Sequence, residues 1–255
     1  MSDAAWPWLA QSGFEVRFGW GTQAIESLAP HVRAVVVVDI IRFTTALDVA
    51  VGRGARVFPA SWPYQEGAGP EGVEVADGGG PRRLSLSPST LVQLAPGDDV
   101  VLPSLNGSHC SMLAARYGVT VVGASLRNAP AVARWLVTTG PQIPVAVVSC
   151  GEEWPDRSLR PATEDLIGAG AVVAELSELA ASLTCSPGAA AAAAAYRGAS
   201  ADLARTLADT ESGRELHHID LGDDLRWAAA LGTSDCVPVL GPDGAYVDAA
   251  SAASG

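Results

Sequence analysis

Lysine is absent from this 255-residue chain: all sixteen positive side chains are arginines. Schiff-base chemistry and P-loop nucleotide binding through a lysine are thereby excluded, since both need an ε-amino group. A basic cluster is also lacking. Sixteen cations stand against 28 acids, a net charge of −12, which argues against a nucleic-acid partner. No apolar run approaches the roughly 20 residues of a membrane helix. The opening Met-Ser-Asp-Ala-Ala-Trp-Pro-Trp lacks the basic-then-apolar order of a secretory signal. The sequence therefore predicts a cytoplasmic protein with no membrane attachment.

Several catalytic signatures are missing as well. The four cysteines, Cys110, Cys150, Cys185 and Cys236, form no Cys-x-x-Cys pair and read as reduced, mostly buried thiols. His31, His109, His217 and His218 are not at metal-ligand spacing. No Gly-x-Ser-x-Gly elbow and no Gly-x-Gly-x-x-Gly turn occurs, which removes the α/β-hydrolase triad and the dinucleotide fingerprint. A haloacid-dehalogenase phosphatase would carry a second aspartate two residues after Asp39, where Ile41 stands.

What is present is organised around Arg33 to Thr45. Val35 to Val38 form a β-branched run of the kind buried on both faces of a parallel sheet. The run stops at Asp39, Arg42 follows, and Thr44 and Thr45 stand where a helix N-terminus favours hydroxyl caps. Ligands of open α/β sheets bind in the crevice beyond the strand ends. There Asp39 suits a divalent cation, and Arg42 with the helix amides suits a phosphate or sulfonate. The competing reading makes Asp39 a cap of the turn with Arg42 as its ion-pair partner.

Along the chain, residues 1–30 read as an irregular N-terminal segment, and residues 31–248 as a single α/β domain divisible at most into two subdomains. Strands are expected at 55–58, 73–76, 99–102, 119–123 and 145–150, with an edge strand at 236–240. Helices are expected near 108–117, 129–137, 163–183, 200–207 and 223–230. The seven alanines Ala189 to Ala195 read as a helix packed on a close neighbour, with Pro187 just ahead of it, and residues 249–255 as a frayed end. Such alternation argues a mostly parallel sheet with helices on both faces.

The strand ends carry polar loops. In Ser104-Leu105-Asn106-Gly107-Ser108, Asn106 with the amides of Gly107 and Ser108 reads either as an anion cradle or as a plain turn. Ser125-Leu126-Arg127-Asn128 is another polar cap, in which Arg127 is a surface charge or a ligand contact. Glu152, Glu153, Glu164 and Asp165 gather on the sheet edge that carries Asp39. That set suits Mg²⁺, which is usually held by one or two carboxylates, water and substrate phosphate. The acidic pair Glu164-Asp165 equally suits plain dipole compensation at a helix start.

Four of these stretches resemble the 2-phosphosulfolactate phosphatase family in order. Val37-Val38-Asp39-Ile40-Ile41-Arg42-Phe43-Thr44-Thr45 is similar to its opening motif, and the loops at 104–108, 123–129 and 163–170 to its Asn-Gly, Asn-Ala and Glu-Asp motifs. Ser212-Gly213, Leu216, Gly222 and Asp224 follow its tail, and Ser85-Leu86-Ser87-Pro88 stands where the family has Gly-Asn-Ser-Pro. The resemblance implies a three-layer α/β/α fold. It also implies a Mg²⁺-dependent, homodimeric phosphatase that releases phosphate and 3-sulfolactate from 2-phospho-3-sulfolactate, or from a related small phosphorylated acid, on the route to coenzyme M. Asp39, Arg42 and Asn106 would be catalytic. Thr44, Thr45, Ser87, Gly107, Ser108, Arg127 and Asn128 would bind substrate, and Asp39, Glu152, Glu164 and Asp165 would hold the metal. The Asn missing before Ser87 and the Ser149-Cys150-Gly151 ending motivate an alternative: a non-catalytic protein that binds small anions and has lost turnover.

Overall fold

A computed structural model describes residues 6–67, 69–141 and 143–252. The chain begins with β1 (Val16–Trp20) and α1 (Gly21–Leu28), then β2 (Ala34–Val38), α2 (Phe43–Gly52), β3 (Arg56–Ser61), β4 (Glu74–Val75) and α3 (Pro88–Leu91). It continues through β5 (Asp99–Ser104), α4 (Gly107–Ala115), β6 (Thr120–Ala124), α5 (Ala129–Thr138), β7 (Val145–Ser149), the short pair β8 (Glu152–Glu153) and β9 (Leu159–Arg160), and α6 (Thr163–Leu179). It ends with α7 (Pro187–Ala199), α8 (Leu203–Asp209), α9 (Glu211–His218), α10 (Asp224–Ala228), β10 (Pro238–Leu240), β11 (Tyr246–Asp248) and α11 (Ala249–Ala252).

Nine strands form one sheet in the order β1-β7-β2-β6-β10-β11-β3-β5-β4. Its pairings are parallel except for the β10–β11 hairpin and that hairpin's contacts with β6 and β3. β2 lies inside the sheet between β7 and β6, with Val36 opposite Val147 and Val122. The valine run serves both faces because successive side chains alternate. Val36 and Val38 join a core with Val132, Leu136 and Ile167 of α5 and α6, while Val35 and Val37 join one with Ile25, Leu47 and Ala114 of α1, α2 and α4. Each large apolar side chain so enclosed contributes on the order of 1.5–3 kcal/mol. This is the expected three-layer α/β/α arrangement. The alanine run of α7 packs on α6 as expected, so closely that a Cβ on Gly170 would overlap the Ala192 carbonyl.

Three expectations need correction. Residues 16–28 are regular, not irregular: β1 pairs with β7 from Val16 to Trp20, and α1 follows directly. β10 is not an edge strand, because it and β11 sit between β6 and β3 and join two parallel halves. α6 ends at Leu179 instead of 183, since the chain turns at Ala180 and brings Thr184 back to bond Glu15. In the tail, 249–252 is helical, and 253–255 lie outside the described residues. The cysteines are free, with Cys185 half-buried and the other three buried. Among the described residues no helix is long and apolar enough to cross a membrane.

Candidate active site

Asp39 follows the last residue of β2 and is buried. Its Oδ2 accepts the Gly107 N–H at 2.9 Å and the Ser104 hydroxyl at 3.4 Å, and its Oδ1 accepts the Phe43 N–H at 3.4 Å. Gly107 is required by this approach. A Cβ there would lie 2.7 Å from Asp39 Oδ2 and overlap the Phe43 ring. Burial pushes the Asp39 carboxyl up to about 6 against these hydrogen bonds, and the charge of Glu164 adds to the rise.

The two threonines fasten the turn instead of opening toward a ligand. Thr44 Oγ1 donates to the Asp39 carbonyl at 2.8 Å and accepts the Asp39 N–H at 3.1 Å. Thr45 Oγ1 donates to the Ile40 carbonyl at 2.8 Å. Both side chains are buried, and both hydroxyls are spent on backbone groups of the turn.

Arg42 does not pair with Asp39, contrary to the competing reading. Its Nη1 donates to Asp224 Oδ2 at 2.9 Å and to Ser87 Oγ at 3.1 Å, and Ser87 Oγ donates to the same Asp224 oxygen at 2.7 Å. Asp224 and Ser87 are buried and hold one corner of the guanidinium. No hydrogen bond among the described residues engages its Nε or Nη2, and that free edge matches the two-pronged geometry that favours Arg at anion sites.

Asp39, Arg42, Ser104, Asn106 and Glu152 share a cavity of about 170 Å³. Its remaining wall includes Ser212, Glu215 and Leu216, one face of α9 at helical spacing, and Ile219 just past its end. Asn106 Nδ2 donates to Glu152 Oε2 at 2.9 Å. Burial first, then the negative charge of Asp39, push the Glu152 carboxyl up to about 7. A second hollow of about 180 Å³ shares Leu105, Asn106 and Glu152 with the first.

The expected metal carboxylates divide. Asp165 is committed elsewhere: Oδ1 accepts the Ile40 N–H and Oδ2 the Gly151 N–H, each at 2.9 Å, tying the end of β2 to the end of β7. Burial and its acidic neighbours raise its pKa well above the usual carboxylate range. Glu164 is 1% exposed, and its Oε2 has no hydrogen-bond partner. No three His, Cys, Asp or Glu side chains converge as a metal cage among the described residues. A magnesium ion needs no such cage, since one or two carboxylates usually suffice beside water and phosphate. The orphaned Glu164 Oε2 is a buried acceptor left without a donor near the Asp39 and Glu152 carboxyls, and that oxygen-rich set fits a divalent cation.

Three further candidates lie outside the cavity lining. Ser108 Oγ donates to the Leu102 carbonyl. Arg127 Nε donates to the buried Asp48 at 2.6 Å, and its guanidinium lies over the Trp227 ring. Asn128 bonds the Ser125 N–H and the carbonyls of Gly123 and Cys236. Conversely, Ser104, Asp224 and the α9 face belong to the site although no pattern of neighbouring residues assigns them to it. The tail motif Ser212…Leu216…Asp224 was the one signal that could have found the last two.

A family model described as 2-phosphosulpholactate phosphatase matches residues 83–242. The matched span holds Asn106, Glu152, Glu164, Ser212 and Asp224, while Asp39 and Arg42 lie ahead of it.

Proposed function

The chain belongs to the 2-phosphosulpholactate phosphatase family of phosphoric monoester hydrolases, and from that premise we propose that it hydrolyses 2-phospho-3-sulfolactate, or a closely related small phosphorylated acid, with Mg²⁺. One observation carries the reading. A guanidinium held by Asp224 and Ser87 shares a cavity of about 170 Å³ with the buried carboxyls of Asp39 and Glu152. The free edge of Arg42 takes the phosphoryl oxygens, and Asn106 and the Gly107 amide keep Glu152 and Asp39 in place. Asp39 and Glu164 are the carboxylates that would hold the cation, whose charge would offset the charge developing on the transferred group.

The chemistry left to the side chains is proton movement. Water adds to phosphorus as the ester P–O bond breaks, and the departing oxygen takes a proton to become the hydroxyl of the product acid. Glu152, raised to about 7, is poised to exchange that proton near neutrality. We also infer a cytoplasmic homodimer. The exposed Trp6, Trp8 and Leu9 offer it apolar surface, and light scattering at the 26.0 kDa monomer mass would refute it.

The test is phosphate release from 2-phosphosulfolactate and a panel of small phospho-acids, with Mg²⁺ and with EDTA. Release that needs Mg²⁺ is expected. Micromolar binding without release from any member would replace the enzyme by the anion-binding alternative.

A further inference from the structure

Ser212 stands in the first turn of α9, is 4% exposed, and lines the cavity that holds Asp39 and Arg42. Its Oγ has no hydrogen-bond partner. The surrounding hydroxyls differ. Ser104 Oγ, on the same cavity, donates to Asp39, and Ser87 Oγ to Asp224. Thr210, two residues before Ser212, donates to the Leu207 carbonyl and accepts the Gly213 N–H, capping α9. So Ser212 is not needed as the cap, and its buried hydroxyl costs the free protein stability for as long as it lacks a partner.

The cavity is also short of donors. Asp39, Glu152 and Glu215 line it with carboxyls, and Arg42 is its one guanidinium. A phosphorylated acid brings a second anionic group, and an uncharged hydroxyl donor is suited to meet one of its oxygens among these carboxyls. We propose that Ser212 is a substrate-binding residue whose hydroxyl donates to an anionic oxygen of the bound phospho-acid, so that α9 takes part in choosing the substrate. This rests on the phosphatase reading above.

The proposal makes stability and binding move in opposite directions. In Ser212→Ala, KM for 2-phosphosulfolactate with Mg²⁺ should rise about 10- to 100-fold with kcat changed far less, as expected for a lost ground-state contact. The ligand-free melting temperature should hold or rise, because an unsatisfied buried hydroxyl is gone. Ser212→Thr, which keeps the donor, should recover part of the KM. The rise in melting temperature caused by 3-sulfolactate should shrink in Ser212→Ala and return in Ser212→Thr. Wild-type turnover with an unchanged KM in Ser212→Ala would overturn the proposal and leave the phosphatase reading standing. A lowered melting temperature with unchanged KM would make Ser212 structural. If the wild type releases no phosphate from any phospho-acid, the phosphatase reading fails. The 3-sulfolactate shift then decides: its loss in Ser212→Ala supports the contact, and an equal or absent shift in both proteins refutes it.

Discussion

The turn after β2 and the turn after β6 are built alike. Each follows a buried strand with a polar residue, places an arginine two or three positions on, and opens a helix. In the second turn the polar groups are consumed internally. Asn128 closes the turn with both ends of its amide, and Arg127 bonds Asp48, which also accepts the Ser234 hydroxyl at 2.6 Å. Burial still raises the Asp48 pKa, so desolvation outweighs its ion pair. In the first turn Arg42 is held at one corner only, and Asp39 and Glu152 meet it across a cavity. A polar strand end becomes a site when its partners leave donors and acceptors over, and becomes a brace when they do not.

Breaking the first turn should cost function. Asp39→Asn is expected to lower kcat/KM by at least about 10³-fold through loss of a charged group at the reacting centre. Its melting temperature at pH 8 should be no lower than the wild-type value, because the carboxyl raised to about 6 is ionised there against the cost of burial, and the substitution removes that cost. Breaking the second turn should cost stability instead. Arg127→Ala leaves Asp48 buried without its counter-charge, so denaturant unfolding should show a loss of about 3 kcal/mol, with turnover per folded molecule unchanged. Asp224→Asn probes the first turn more gently. Arg42 keeps its position through Ser87 but loses its counter-charge, and kcat/KM should fall about tenfold.

The smallest effect is in the pH dependence of stability. Asp39 and Glu152 rise from ordinary values of 3.8 and 4.5 to about 6 and about 7. Between those limits the folded protein holds protons that the unfolded chain has released. Raising pH through that window therefore lowers stability. With EDTA present, the melting temperature should fall from pH 5 to pH 8, and Mg²⁺ should reduce the fall. A melting temperature that rises over that range would contradict the raised carboxyls.

The first turn was legible because four adjacent valines halted by Asp39 fit a buried strand and its C-terminal turn better than any helix or surface loop. β1 was not, since Val-Arg-Phe-Gly-Trp carries a charge and a glycine in an edge strand. Arg17 is accommodated there by donating to the carbonyls of Phe14 and Ala10, which no local pattern announces. What separates Arg42 from Arg127 was also hidden. Asp224 is 182 residues from Arg42, and Asp48 is 79 from Arg127. The roles of Thr44, Thr45 and Asp165 could not be read either, because whether a hydroxyl or carboxylate is free depends on backbone groups brought in by folding.

The most direct test of the contrast between the two turns pairs Arg42→Lys with Arg127→Lys, measuring phosphate release per folded molecule beside the melting temperature. Both substitutions keep the charge and remove the planar fork. Arg42→Lys should lose most of its turnover at a near-native melting temperature, and Arg127→Lys should melt earlier with normal turnover. Full activity in Arg42→Lys together with a stable, inactive Arg127→Lys would mean that the site lies beyond β6 and that the turn after β2 is the brace.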